Sequence, residues 1–141
     1  MNVSRRGICQ ALPLFFSSVA WAAADDQPIQ SFATPFDKLP VHTNATNVSR
    51  SILNGMTHAG CHLEVHETTL QPGQMPHPPH HHTHEELFLI MSGTLELTIA
   101  GKTTIIGPGS AAFVHSGEEH GAKNSGMEPA QYFVVAIGTE T

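Results

Sequence analysis

From Ile52 onward the chain alternates in short bursts. Cys61-His62-Leu63-Glu64-Val65-His66 changes character at every residue, the two-residue period of a half-buried strand. Gln71-Pro72-Gly73 follows with turn residues. Leu87-Phe88-Leu89-Ile90-Met91 is a short apolar run closed by Ser92-Gly93. Thr94 to Ala100 alternates again through Leu95, Leu97 and Ile99, and Gly101-Lys102 reads as a tight turn. Thr103–Ile106, Ala111–Val114 and Gln131–Ile137 complete the set, with Gly107-Pro108-Gly109 and Ser116-Gly117 as breaks. No window holds an apolar stripe of period 3.6 over three turns. Strands that recur every eight to twelve residues between Gly and Pro predict an all-β fold, a small antiparallel sandwich or barrel. Residues 25 to 50 read as a polar, loosely ordered arm.

Composition narrows the class. The chain has 141 residues, 40% of them apolar and only 13% charged, enough for one core in one domain. A net charge of −6 sets nucleic acid and anionic membrane surfaces aside as partners. The first residues stand apart. Arg5 and Arg6 precede an apolar stretch from Gly7 to about Ala20, and small residues resembling a cleavage site come before Asp25. The stretch is short for a bilayer span of ~20 residues, so it is expected to be a cleaved export signal that leaves no membrane anchor. Ser4-Arg5-Arg6-Gly7-Ile8 is similar to the twin-arginine type, and an ordinary secretory signal is the alternative. The expected division is an export signal over 1–24, an N-terminal arm over 25–55 and a barrel domain over 56–139, in the periplasm or secreted. Processing would leave Lys38, Arg50, Lys102 and Lys123 against all twelve acids, and a lone Cys61 with no disulfide partner.

The chemistry concentrates in His77-Pro-Pro-His80-His81-His82-Thr-His84-Glu85-Glu86 and, further on, in Gly109-Ser-Ala-Ala-Phe-Val-His115-Ser-Gly117-Glu-Glu-His120-Gly-Ala-Lys-Asn124. These stretches resemble the two motifs of the cupin superfamily. The first runs G-x5-H-x-H, three or four residues, then E-x6-G. His80, His82, Glu86 and Gly93 fit it, while Gly73 lies one residue too far upstream. The second runs G-x5-P-x-G-x2-H-x3-N. Gly109, Gly117, His120 and Asn124 fit, with His115 in place of the proline. Fifteen residues separate Gly93 from Gly109, and the resemblance covers about residues 60 to 137. It implies a double-stranded β-barrel of the jelly-roll kind, with six to eight strands in two packed sheets. It also implies a divalent metal (Mn, Fe, Ni, Zn or Cu) at the mouth, held by His80, His82, Glu86 and His120. Imidazole and carboxylate suit such ions. His80 and His82 can point the same way from one extended segment. His81 is expected to point away. His77 and His84 read as exposed loop histidines, although His84 could replace a neighbour, and His115 as a turn residue. The competing reading is a biased histidine tract that binds metal loosely and does not depend on His120.

Other candidates are open. His62, Glu64 and His66 share a strand face that lines either the barrel or the solvent. Arg50 would clamp a substrate carboxylate at the pocket rim, or is a surface charge. Of Tyr132 and Phe133, one is expected in the core, with Tyr132 a candidate pocket residue. Cys61 reads as a buried small hydrophobe. The resemblance points to a metal-dependent enzyme acting on a small organic molecule, with oxygenase-, decarboxylase- or isomerase-like chemistry. A non-catalytic small-molecule or metal-binding sensor is the alternative, and a homodimer is the expected assembly.

Overall fold

The computed structural model describes residues 27–138, so the expected export segment lies outside the described residues. Nine strands follow one another: β1 (Val41–Thr43), β2 (Asn47–Met56), β3 (His62–Leu70), β4 (Glu85–Ser92), β5 (Leu95–Ile99), β6 (Lys102–Ile106), β7 (Ala111–Val114), β8 (His120–Asn124) and β9 (Ala130–Ile137). One 3-10 turn at Phe36–Lys38 is the only helical element among the described residues. No helix among them is long and apolar enough to cross a membrane. Every strand pair is antiparallel. The strands form a six-stranded sheet, β1-β2-β3-β9-β4-β7, and a three-stranded sheet, β6-β5-β8. The fold is an all-β jelly roll.

Strict alternation builds its core. Along β9, Ala130, Tyr132, Val134 and Ala136 are buried, while Gln131, Phe133, Val135 and Ile137 face outward and are half-buried. Of the pair Tyr132 and Phe133, Tyr132 is therefore the core residue, 2% exposed. Its neighbours Phe88 and Ile90 on β4 meet Leu95 and Leu97 on β5 and Leu70 on β3 in one apolar cluster. Apolar area removed from water contributes about 25 cal/mol per Å², so these two-sided contacts hold the sheets face to face.

Three local features depart from the sequence expectation. The polar segment read as an arm carries β1 and β2, because its alternation is among polar residues: Asn47, Ser49 and Ser51 face inward opposite Leu70, Thr68 and His66. The tight turn falls at Ala100-Gly101, both with positive φ (47° and 75°), as a two-residue hairpin with matching twist requires. Cys61 is half-buried rather than buried.

Asn124, fully buried, explains the end of the second motif. Its amide nitrogen donates to the carbonyls of Leu70 and Glu128, both at 2.8 Å, and its amide oxygen accepts from the Gly126 backbone N–H at 2.9 Å. It ties β8 to the end of β3 and to the turn before β9.

Arg50 serves the outer face of the large sheet and not the cavity. Its guanidinium donates to Glu67 Oε2 at 3.0 Å, and the Phe36 ring packs 4.4 Å from it. Glu67 is 1% exposed and also accepts from the Thr69 hydroxyl at 2.8 Å. A buried carboxylate stripped of its cation is costly, so Arg50→Met is expected to lower stability by about 2 kcal/mol, read from urea midpoints.

Candidate metal centre and its cavity

The loop 77–84 leads into β4 and lies beside β8. His80 and His120 face each other through reciprocal backbone hydrogen bonds, His80 N–H to the His120 carbonyl at 3.0 Å and His120 N–H to the His80 carbonyl at 2.9 Å. Pro79 packs against Gly121, where an added Cβ would stand 3.1 Å from the proline ring. The Gly117 N–H donates to the His82 carbonyl at 2.8 Å. Two distant stretches of sequence are thereby pinned together by their backbones.

Three imidazoles cluster as a result. Ring centroids lie 5.2 Å apart for His80 and His82, 4.7 Å for His80 and His120, and 4.8 Å for His82 and His120. One ring nitrogen from each lies within 4.8 Å of the others. Glu86, on β4, reaches the same point. Its Oε1 is 3.3 Å from His82 Nε2 and its Oε2 is 3.2 Å from His120 Nε2. His84 stacks on His82 at 3.5 Å, and its Nε2 is also 3.3 Å from Glu86 Oε1. The structure thus brings together His80, His82, Glu86 and His120 and adds His84. His81 and His77 are exposed, and exposed His115 pairs with Glu118 at 3.2 Å.

The hydrogen-bond pattern tests whether a cation fits. His82 Nδ1 is 2.8 Å from the His84 carbonyl and His120 Nδ1 is 3.0 Å from the Glu118 carbonyl. A carbonyl only accepts, so both Nδ1 atoms carry a proton, which leaves the Nε2 atoms as the positions through which these rings can bind a cation. These Nε2 atoms stand 3.3 and 3.2 Å from the carboxylate oxygens of Glu86. His80 Nδ1, His82 Nε2 and His120 Nε2 are all buried without a hydrogen-bond partner. Buried polar atoms left unpaired are costly. A divalent cation held between these nitrogens and the Glu86 carboxylate would give each of them a partner. The residues fit the group.

His80 has its pKa pushed down to about 4. Burial is the main cause, helped by His77, His120 and His82 and opposed by Glu86. The unfolded chain takes up this proton near pH 6.5, so the folded state loses stability as pH falls from 6.5 towards 4. Metal-free protein is accordingly expected to have a lower urea midpoint at pH 5 than at pH 7, and His80→Gln should flatten part of that slope.

The cluster opens into a cavity of about 460 Å³. Glu64, His66 and Thr68 of β3 line it, so this strand face looks into the barrel. His66 Nδ1 is 3.3 Å from Glu64 Oε1, and Asn54 donates to Glu64 Oε2 at 3.4 Å. Tyr132 lines the cavity beside Phe88, and burial pushes its phenol pKa upward, so it stays protonated. His62 is not among the lining residues. The sequence reading missed the part of the lining that adjoins β3: His42, Asn44, Asn47, Ser49 and Ser51. No alternation in hydropathy marks them, since Asn47, Ser49, Arg50 and Ser51 are all polar.

Comparisons with known proteins fit this architecture. The cupin domain family model matches residues 66–136. Mannose-1-phosphate guanylyltransferases of Klebsiella pneumoniae and Escherichia coli are each 28% identical over 77 residues, a match covering 55% of this chain but 16% of theirs. The chain therefore spans a small part of those relatives. Among solved structures, an RmlC-like cupin from Shewanella frigidimarina superposes with a TM-score of 0.66 at 14% identity, covering 78% of this chain and 93% of that one. The polyketide cyclase RemF from Streptomyces resistomycificus gives 0.66 at 21% identity, covering 79% and 82%. A predicted oxalate decarboxylase from Thermotoga maritima gives 0.65 at 18% identity, covering 77% and 100%. At these identities the structures share the fold. With its family match spanning half the sequence and both sheets in place, the chain belongs to the cupin family.

Proposed function

We propose that the protein is an exported, metal-dependent enzyme acting on a small organic molecule, with His80, His82, Glu86 and His120 as the ligands of one divalent cation. The observation that carries this reading is the pair of buried Nε2 atoms, on His82 and His120, that lack a hydrogen-bond partner and stand 3.3 and 3.2 Å from the carboxylate of Glu86. A cation held there supplies Lewis-acid or redox chemistry to a substrate that chelates it. The chain's own part is positional. The His84 and Glu118 carbonyls fix the rings of His82 and His120, Phe88 and Val134 give the cavity an apolar side, and the protonated Tyr132 keeps a fixed polar group there. The Glu64–His66 pair supplies a proton acceptor within the same cavity, which favours turnover over passive binding. The reaction class in this reading is oxygenase-, decarboxylase- or isomerase-like. The basic, apolar and then small-residue start of the chain supports export. Leu89 and Phe113, exposed on the outer face of the large sheet, support the homodimer.

The test is to strip the protein with a chelator and reload it separately with Mn, Fe, Ni, Zn and Cu. Turnover of small oxygenated molecules is then followed under oxygen by oxygen uptake, carbon dioxide release and product analysis. Turnover with one reloaded metal and none in the stripped protein is expected. Equal behaviour of stripped and reloaded protein would sink the proposal.

A further inference from the structure

The register of the large sheet lays out what the cavity holds. Glu64 on β3 and Glu86 on β4 both stand opposite Ala136 of β9, one from each side. Two strand spacings separate the carboxylate-bearing positions, roughly 10 Å, and the residue between them is an inward-facing, buried alanine. The next row is His66, Val134 and Phe88, and the one after it Thr68, Tyr132 and Ile90. The cavity runs between the histidine cluster and the Glu64–His66 pair, and residues of both line it.

Charge decides the kind of molecule. No Lys or Arg is among the residues lining this cavity. The four in the described residues are all engaged or directed elsewhere. Lys38 pairs with Asp37, Arg50 pairs with Glu67 on the outer face, Lys102 lines a separate groove, and Lys123 is exposed on β8. Two carboxylates, Glu64 and Glu86, line the cavity, and a divalent cation would offset their charge. A dianion entering would leave that charge without a protein cation, an arrangement that is expensive away from bulk water. Much of the polar lining is instead made of short hydroxyl and amide groups: Asn44, Asn47, Ser49, Ser51 and Thr68. Hydroxyls and amides both donate and accept, which is what a hydroxyl group on a ligand requires. Val134, Phe88 and Ala122 add an apolar surface suited to C–H groups.

We propose that the cavity selects a neutral small molecule carrying adjacent hydroxyl groups, with one end at the metal cluster and the other between the Glu64–His66 pair and the serines of β2. This inference rests on the metal-site reading above, and within that reading it sets decarboxylation of a dicarboxylate aside. The test uses metal-replete full-length protein, with metal content measured by elemental analysis in the same samples. Calorimetry compares two neutral probes, D-xylose and catechol, with the dianion malonate. At least one neutral probe is expected to bind about tenfold or more tighter than malonate. The double variant Ser49→Ala/Ser51→Ala, which alters only side chains facing the cavity, is expected to weaken that neutral probe about fivefold or more with unchanged metal content and melting temperature. Malonate binding equal to or tighter than both neutral probes overturns the inference, as does failure of both neutral probes to bind. Unchanged binding in the double variant also overturns it. These failures, in protein shown to hold metal, leave the metal-site reading standing, whereas wild-type protein that takes up no metal removes both.

Discussion

His120→Ala is expected to abolish stoichiometric metal binding. The residue sits on β8, in the smaller sheet, 38 positions along the chain beyond His82, yet its ring centroid lies 4.8 Å from that of His82 and its Nε2 lies 3.2 Å from Glu86. Losing an outer hydrogen-bond partner of a metal ligand typically weakens binding about 10- to 100-fold, and losing a ligand itself should exceed that range. Titration of metal-free protein by calorimetry, with elemental analysis after desalting, reads the effect directly. His81→Ala is the control. It removes a histidine from the same tract, but an exposed one outside the cluster, and should leave stoichiometry and affinity unchanged. A loose histidine tract gives the opposite ordering, because His120 is no part of it and His81 is. Retention of one tight equivalent by His120→Ala would end the case for a site shared between the two sheets.

The largest expected loss of stability comes from Gly93→Ala. Gly93 closes the β4–β5 hairpin at φ +75°, where an L side chain costs about 1–2 kcal/mol. Space is the greater obstacle. A Cβ there would stand 2.5 Å from Ala130 Cα, 2.8 Å from the Pro129 carbonyl oxygen and 2.9 Å from Ala130 Cβ. Ala130 is fully buried at the start of β9, paired with both Leu70 and the core, so its backbone cannot give way locally. Forced overpacking adds roughly 1–3 kcal/mol, for a total of about 4 kcal/mol, a large fraction of the 5–15 kcal/mol a domain commonly has. Gly101→Ala separates the two contributions. It has the same φ of +75° with nothing within 4 Å of the added carbon, so its cost is expected to be that of the dihedral alone. Urea denaturation of both variants measures the difference. Equal losses would mean that β9 is far more yielding at Ala130 than its burial implies.

The strands whose alternation is apolar against polar were legible before any coordinates. Ala111–Val114 coincides with β7, and Leu87–Met91 and Gln131–Ile137 fall within β4 and β9. Leu95, Leu97 and Ile99 fall within β5. What escaped was the strand whose inward face is polar. Asn47, Ser49 and Ser51 line a cavity rather than a core, so hydrophobicity carries no trace of their orientation. The same physics hid the role of Arg50. A lone arginine in a polar stretch gives no sign that it will neutralise a carboxylate 17 residues away. For the candidate site, motif spacing indicated which four residues meet and left His84 a loop histidine that could replace a neighbour, since stacking on His82 depends on how the loop turns. The two readings left open for the face of β3 were resolved by pairing: Glu64 and His66 sit opposite Ala136 and Val134, both buried.

The reciprocal backbone bonds between His80 and His120 carry a consequence for how an ion would arrive. Each residue both gives and receives a main-chain bond across the loop–β8 seam, so the separation of the two rings is written into the scaffold and owes nothing to coordination. Capture would then resemble a key entering a finished lock: little chain ordering accompanies it, and the entropy lost on association stays small. Far-ultraviolet circular dichroism should be the same with and without bound ion, in contrast to small domains that remain unfolded until their metal is present.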